Sequence, residues 1–269
     1  DDSKRTHNIL FRCDFGKDTD INLLSKSLNI IFEHYECFHS VFPEVNQEPV
    51  QKILKFNDIA IPVIEKEING VIDELKRIKI DIEKGPLFFP KFVEQNNKYT
   101  LLVNIHHIIF DGWSLAVFMK KIQKIYSALR NSQEYIFDEN AIQNVDFAEW
   151  QKNCEVRNNI NLNFWKNSLI PFTPKLDLPT KRKRPETFTS DGLRYWFDID
   201  KTLSNKLANF AKNNSVTLFA VLLSAYKLLL SKHSNHSDIV VGTPYANRKT
   251  VQQESLIGYY SNMIAIRTN

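Results

Sequence analysis

Two adjacent histidines, followed by an aspartate and a glycine, are the residues of this chain whose types and spacing could do chemistry: His106-His107-Ile108-Ile109-Phe110-Asp111-Gly112. An imidazole titrates near neutrality, so His107 could take a proton from an amine nucleophile or hold that amine by a hydrogen bond. A carboxylate at Asp111 could cap a following helix or pair with a cation from elsewhere, fixing the loop that carries His107. Gly112 would permit close approach of a backbone or a substrate and tolerate a positive φ. The residue types alone leave a structural reading of the histidine pair open beside the acid/base one. A metal site is disfavoured, because adjacent histidines on a strand diverge and the spacing suggests no third ligand.

The elements that must position these groups follow from hydrophobic periodicity. Leu101 to His107 reads as a strand, so side chains alternate between two faces. Leu101, Val103, Ile105 and His107 share one face, and Leu102, Asn104 and His106 share the other. The two imidazoles therefore serve different purposes, one facing a cleft and one anchored in the fold. Leu115, Phe118, Ile122, Ile125 and Leu129 recur at helical spacing and predict a long amphipathic helix after the motif. Upstream, Asn8–Phe15 reads as a strand, and Leu24, Leu28, Ile31 and Phe32 mark a helix entered from Asp20 as its cap. Asn96-Asn97 reads as the turn of a hairpin joining Phe88–Glu94 to Tyr99–His106. Asp146–Leu169 reads as helical. Residues 171–193 form the best linker, proline-containing and bearing the Lys181-Arg182-Lys183-Arg184 run, which reads as a solvated loop. Beyond it, a strand at Arg194–Ile199, helices at Leu203–Asn213 and Thr217–Lys232, and strands at Asp238–Gly242 and Met263–Arg267 are expected. Interspersed strands and helices place the chain in the α/β (α+β) class.

Bulk properties exclude several classes. The chain has 269 residues, 43% hydrophobic and 25% charged, with 19 Phe against only 7 Gly, and a mean hydropathy of -0.33. That composition suits packed cores, and no glycine-rich phosphate loop occurs, so nucleotide binding has no support. The formal charge of +4 comes from scattered lysines and reads as a solvated coat, with no nucleic-acid groove. Cys13, Cys37 and Cys154 are widely spaced and match neither a disulfide framework nor a zinc site, which points to a reducing cytoplasm. No apolar run is long enough to span a membrane.

The motif, continued by Trp113-Ser114, resembles the HHxxxDG motif of condensation domains from nonribosomal peptide synthetases and their acyltransferase relatives. Asn144 to Trp150 is similar to the family's YxDFAxW block, Asp177 to Pro185 to its LPTD-x-P-RP linker, and Asp238 to Arg248 to DIVVGTPVANR. Ile257 to Arg267 resembles IGxFVNTLPLR at the Ile, Gly, Asn and Arg. The resemblance implies a chloramphenicol acetyltransferase-like fold of two lobes with the active site at their interface. The lobes would be residues 1–170 and a partial 194–269, with 171–193 between them. It implies an enzyme that joins an upstream acyl or peptidyl thioester to the amine of a downstream aminoacyl thioester. Both substrates would ride on the 4'-phosphopantetheine of upstream and downstream peptidyl carrier proteins beside an adenylation domain. No cofactor or metal would be bound by the domain itself, and the unit would be a monomeric part of a modular chain, without membrane or nucleic-acid partners. His107 would be the catalytic residue, as base or positioning acceptor; His106 and Asp111 would support it, Gly112 would line the acceptor side, and Trp113, Ser114, Ser261 and Asn262 the substrate tunnel. A free-standing acyltransferase using a coenzyme A or carrier thioester, and a degenerate domain that only docks partners, are the alternatives.

Two departures from the family pattern carry expectations. The RHExLRTxF block aligns with His34 to Phe42, with histidine at both arginine positions, so His34 or His39 would brace Asp111 and activity and stability would fall as the pH rises past neutrality. The family's opening block and the segments after IGxFVNT are absent, so the chain reads as truncated at both ends and inactive alone.

Overall fold

The computed structural model describes residues 7–96, 98–137, 142–154, 158–171, 176, 178–181, 193 and 195–268. By contacts the chain divides into two compact units, Asp1–Glu155 with Ala246–Ser261, and Val156–Tyr245 with Asn262–Asn269. This differs from a boundary at 171–193, a segment that lies mostly outside the described residues. The physical reason is that residues 246–261 make their buried polar bonds with the motif loop of the first unit, so the chain leaves that unit and comes back to it.

The first unit is built on a four-stranded sheet in the order β1-β8-β7-β6. Its strands are β1 (Asn8–Phe15), β6 (Val63–Ile64), β7 (Phe88–Gln95) and β8 (Lys98–His106). Four further two-residue strands, β2 (Ser40–Val41), β3 (Glu44–Val45), β4 (Glu48–Pro49) and β5 (Lys52–Ile53), form small antiparallel pairs. The hairpin β7–β8 forms as the sequence predicts, with Asn96 at φ 51°, a left-handed position that asparagine tolerates. β8 lies between two partners, and Leu101 to Ile105 are all buried.

Alternation along β8 divides the core in two. Leu101, Val103 and Ile105 pack with Phe11, Phe32, Phe88 and Phe118, contributed in part by α1 (Ile21–His34) and α3 (Gly112–Arg130). Leu102, on the other face, packs with Val93 and with Val71 and Leu75 of α2 (Ile68–Lys76). Asn104 is a buried polar residue on that second face, and its Nδ2 donates to the Leu75 carbonyl at 2.8 Å. The bond satisfies a buried amide and gives the Leu75 carbonyl, which also accepts from the Ile78 N–H at the end of α2, a second donor. α1 is capped by Asp20, whose carboxylate accepts from the N–H groups of Asn22 and Leu23, and it buries Leu24, Leu28, Ile31 and Phe32 as its spacing requires.

The helical stretch predicted for Asp146–Leu169 contains α4 (Asn144–Asn153) and α5 (Asn158–Leu169); residues 155–157 lie outside the described set. The second unit carries α5, then α6 (Lys201–Asn213) and α7 (Leu218–Ser234). Its two strands, β9 (Ile239–Tyr245) and β10 (Asn262–Thr268), pair antiparallel. Between them in sequence, α8 (Val251–Glu254) belongs to the first unit. Lys227 on apolar α7 is buried and reaches the Ile266 carbonyl at 2.6 Å and Thr268 Oγ1 at 2.9 Å, fastening helix to strand. The strand expected at Arg194–Ile199 does not form over its described residues, 195–199. An extended pattern becomes a strand only where a neighbour's backbone completes the ladder, and residue periodicity does not supply that neighbour.

Candidate active site

β8 ends at His106, one residue earlier than the periodicity indicates, and His107 opens a single 3₁₀ turn, His107–Ile109. The turn is anchored from both sides: the His107 N–H donates to the His7 carbonyl at 2.7 Å, and the Ile108 N–H donates to His106 Nδ1 at 3.1 Å. His106 therefore acts as a side-chain acceptor for the turn that presents its neighbour. Burial, with the adjacent imidazoles of His7 and His107, lowers its pKa, which keeps the ring neutral and able to accept. His107 is half-buried, and its Nδ1 is buried without a hydrogen bond among the described residues. Its ring lies 5.0 Å from that of Tyr259, with the two planes at 82°.

Asp111 does both things its position allowed. As the cap of α3 it accepts from the Ser114 N–H at 2.9 Å through Oδ1. Through both oxygens it also holds a bidentate pair with Arg248, at 2.9 Å from Nη1 to Oδ2 and 3.0 Å from Nη2 to Oδ1. The Ser114 hydroxyl stands 2.8 Å from Oδ1. The N–H groups of Tyr260 and Ser261 lie 3.1 and 3.2 Å from Oδ2, and the Ser261 hydroxyl 2.9 Å from it. These donors exceed the roughly four lone-pair positions that a carboxylate offers. Asp111 is thus a saturated hub and has no free lone pair with which to take part in proton transfer.

The brace expected from His34 or His39 is corrected here: it is Arg248. His34 instead stacks on Phe137, with ring centroids 3.5 Å apart, and His39 lies within hydrogen-bond distance of the carbonyls of Leu54 and Glu33. Arg248 stands at the end of the DIVVGTPYANR block. That block carries a family resemblance, but residue types and spacing gave Arg248 no link to a carboxylate 137 residues away. Its side chain is 1% exposed, and its guanidinium also lies over the rings of Tyr260 and Trp113, 4.6 and 5.8 Å from their centroids. A planar, permanently charged fork suits such a buried carboxylate better than an imidazole does.

The remaining predicted residues separate. Ser114 is fully buried, so it does not line an open channel. Its hydroxyl accepts from the Gly258 N–H at 3.0 Å and lies 2.8 Å from both the Gly258 carbonyl and Asp111 Oδ1, so its single proton serves one of these two acceptors at a time. Ser261 is half-buried on Asp111. Trp113 is 42% exposed, and its Nε1 donates to the Glu254 carbonyl at 3.0 Å. Asn262 is exposed in the second unit and accepts from the Met263 N–H. Gly112 has neither a positive φ nor any atom that a Cβ would meet within 4 Å. The glycine that the architecture requires is Gly258, at φ 158°, where a Cβ would stand 2.8 Å from Tyr260 Cε2 and 3.2 Å from Asn144 Cγ. Gly258→Ala is expected to cost about 1–3 kcal/mol and to loosen the Tyr260–Phe147 packing, whose ring centroids are 4.9 Å apart. Urea unfolding followed by tryptophan fluorescence measures it, and an unchanged midpoint would contradict the strain.

The electrostatics reverse the pH dependence expected of a histidine brace. Burial alone would raise the Asp111 carboxyl, but hydrogen bonds from Arg248 and Ser114 outweigh it and hold the group at about 2. Its stabilisation is present above about pH 4, where the unfolded chain's carboxyl is ionised, and is lost as the pH falls toward 2. Burial, reinforced by the Lys121 cation, depresses His34 to about 4. The unfolded chain takes up that proton near pH 6.5, so this contribution is present above about pH 6.5 and is lost on acidification toward 4. Neither group weakens the fold as the pH rises past about 7. Denaturant midpoints are expected to be level from there into the mildly alkaline range and to fall on the acid side; a decline on the alkaline side would restore the histidine brace.

Comparison with known proteins gives three kinds of likeness. The family model described as Condensation domain matches residues 1–269. Malpibaldin synthetase of Mortierella alpina is 31% identical over 258 residues, covering 91% of this chain and 5% of that protein. Bacitracin synthase 3 of Bacillus licheniformis is 30% identical over 269 residues, covering 98% of this chain and 4% of that protein. This chain thus spans a small fraction of the length of these curated relatives. The crystal structure of the X-domain from teicoplanin biosynthesis superposes with a TM-score of 0.85 at 20% identity, over 98% of this chain and 61% of that one. At that identity the likeness shows the fold, and it agrees with the mixed α/β architecture expected from the sequence.

Proposed function

The chain belongs to the condensation-domain family, and on that premise we propose that it forms an amide bond between an acyl or peptidyl thioester and the amine of an aminoacyl thioester. The amine nitrogen attacks the thioester carbonyl carbon, a C–N bond forms, the C–S bond breaks, and the thiol leaves. The proton lost by the amine reaches the departing sulfur, either by way of His107 acting as base or with His107 only holding the amine by a hydrogen bond while the attack proceeds. Holding two tethered reactants in near-attack geometry contributes several kcal/mol of barrier lowering by itself.

One observation carries the reading. The complete His-His-x-x-x-Asp-Gly loop is locked through Asp111 and Arg248, and His106 spends its Nδ1 on the turn, while half-buried His107 keeps its Nδ1 without a hydrogen bond among the described residues. In this reading His106, Asp111 and Ser114 hold the loop, and Trp113 is the tunnel-lining group of the first unit that retains open surface. The substrates arrive on the 4'-phosphopantetheine arms of upstream and downstream carrier proteins, with an adenylation domain adjacent in the same synthetase. The setting is cytoplasmic, in keeping with the three free thiols. Among the described residues no single helix is long and apolar enough to cross a membrane; α6 and α7 satisfy that test only together, as a pair bent by 109°.

A single-turnover assay on the full-length protein tests the proposal, with carriers loaded with acyl and aminoacyl groups and the product followed by mass spectrometry. Amide product on the downstream carrier is expected. Transfer to free alcohols or amines instead, with both carriers intact and loaded, would assign the site to a free-standing acyltransferase.

A further inference from the structure

We infer that Tyr259 is a positioning residue for the His107 imidazole, setting by ring packing the orientation that catalytic histidines ordinarily receive from a hydrogen bond. The inference rests on the amide-forming reading of the site. In a serine–histidine–aspartate arrangement, or at a metal-bound histidine, the second ring nitrogen donates to a carboxylate or carbonyl, which fixes both tautomer and ring direction. Here the nearest carboxylate of the motif, Asp111, is fully engaged by Arg248, Ser114, Tyr260 and Ser261, and His107 Nδ1 is buried without a partner among the described residues. What the imidazole does meet is the Tyr259 ring, at 5.0 Å and 82°, the edge-to-face arrangement that aromatic rings favour.

The backbone on either side of half-exposed Tyr259 is held by hydrogen bonds. The residue before it, Gly258, is bound through its N–H to Ser114, and the two after it donate their N–H groups to Asp111. Its backbone therefore has little freedom, and the ring is presented to His107 from a fixed base. The hub at Asp111 thus serves both partners: it anchors α3 behind the histidine loop and the segment that carries the opposing ring. A rotation of the imidazole by a few tens of degrees would shift its outer nitrogen by a sizeable part of an ångström, and misplacement on that scale is costly to a reaction that depends on near-attack geometry. With the ring 46% exposed, Tyr259 contributes little to the core, so its effect on orientation is separable from its effect on folding.

The test uses the full-length protein and the single-turnover amide assay with loaded carriers. Tyr259→Ala is expected to slow amide formation at saturating carriers by about 10- to 100-fold, with half-saturating carrier concentrations and the thermal midpoint unchanged. Tyr259→Phe, which keeps the ring, is expected to restore the wild-type rate. His107→Ala in parallel separates the two claims. If His107→Ala is slow while Tyr259→Ala matches wild type, the positioning role is overturned and the amide-forming site stands. If His107→Ala also matches wild type, the reading of the site fails and the inference with it. Tyr259→Phe as slow as Tyr259→Ala would mean that the hydroxyl acts, which overturns orientation by packing. Should Tyr259→Ala lose its thermal transition, Tyr259→Gln, ringless but of similar reach, takes its place: a slow rate supports the inference and a wild-type rate overturns it.

Discussion

Arg248→Ala is expected to destabilise the protein by about 3–5 kcal/mol, because it leaves a buried carboxylate without its counter-charge. Asp111 and Arg248 have side chains 0% and 1% exposed, so water cannot take over from the lost guanidinium. The mutation also empties a planar site between the rings of Tyr260 and Trp113, losing packing along with charge. Asp111→Asn should cost less than Arg248→Ala but still a substantial amount: its amide oxygen can keep part of the pattern, while its NH₂ group faces the guanidinium and the N–H groups of Tyr260 and Ser261. The decisive measurement is a double-mutant cycle. Replacing both residues by apolar ones of similar size removes the unpaired charge, so the double variant should be more stable than the two single losses predict. Additive losses, or an Arg248→Ala variant within 1 kcal/mol of wild type by urea unfolding (about the upper end for a solvated surface pair), would show that the pair is not the brace described.

His107→Ala is expected to reduce single-turnover amide formation by about 10²–10⁴-fold, the usual contribution of a positioned acid–base group. The side chain is half-buried, and what holds the turn is its backbone N–H on the His7 carbonyl, which alanine retains. Stability should therefore change little while the rate collapses. His106→Ala is expected to behave oppositely, because its Nδ1 accepts from the Ile108 N–H and shapes the turn; its rate loss should accompany a loss of thermal stability. An assay in which His107→Ala keeps the wild-type rate, with carriers verified as loaded, would remove this residue from the chemistry.

Much of the first unit was legible along the chain. The helices at Ile21–His34 and Gly112–Arg130 and the hairpin Phe88–His106 carry their own signals: apolar spacing, an aspartate cap and an asparagine turn. Alternation along Leu101–Ile105 correctly divided the core into two faces, since a strand's side chains must alternate whatever they meet. Its extrapolation to His107 failed by one residue because a 3₁₀ turn takes over there, closed by the Phe110 N–H on the His107 carbonyl and by the Ile108 N–H on His106 Nδ1. Alternation of residue types does not report where such a turn replaces the strand. The apparent loss of two arginines at His34 and His39 illustrates the same limit: a departure from a pattern signals a missing part only if no other segment supplies it, and Arg248 does.

Sequence by itself determined the family, the mixed α/β class, the elements of the first unit and the identity of the motif carrying His106, His107 and Asp111, because each rests on local periodicity or on residue order. Only the tertiary structure decided what surrounds that motif. It brought Arg248, Gly258, Tyr259 and Ser261 to residues more than 130 positions earlier, made Asp111 a saturated anchor rather than a free carboxylate, and left His107 Nδ1 without a hydrogen bond among the described residues. Buried charges must be paired and buried donors satisfied, but this rule names no partner. The partner is chosen by where the fold returns the chain.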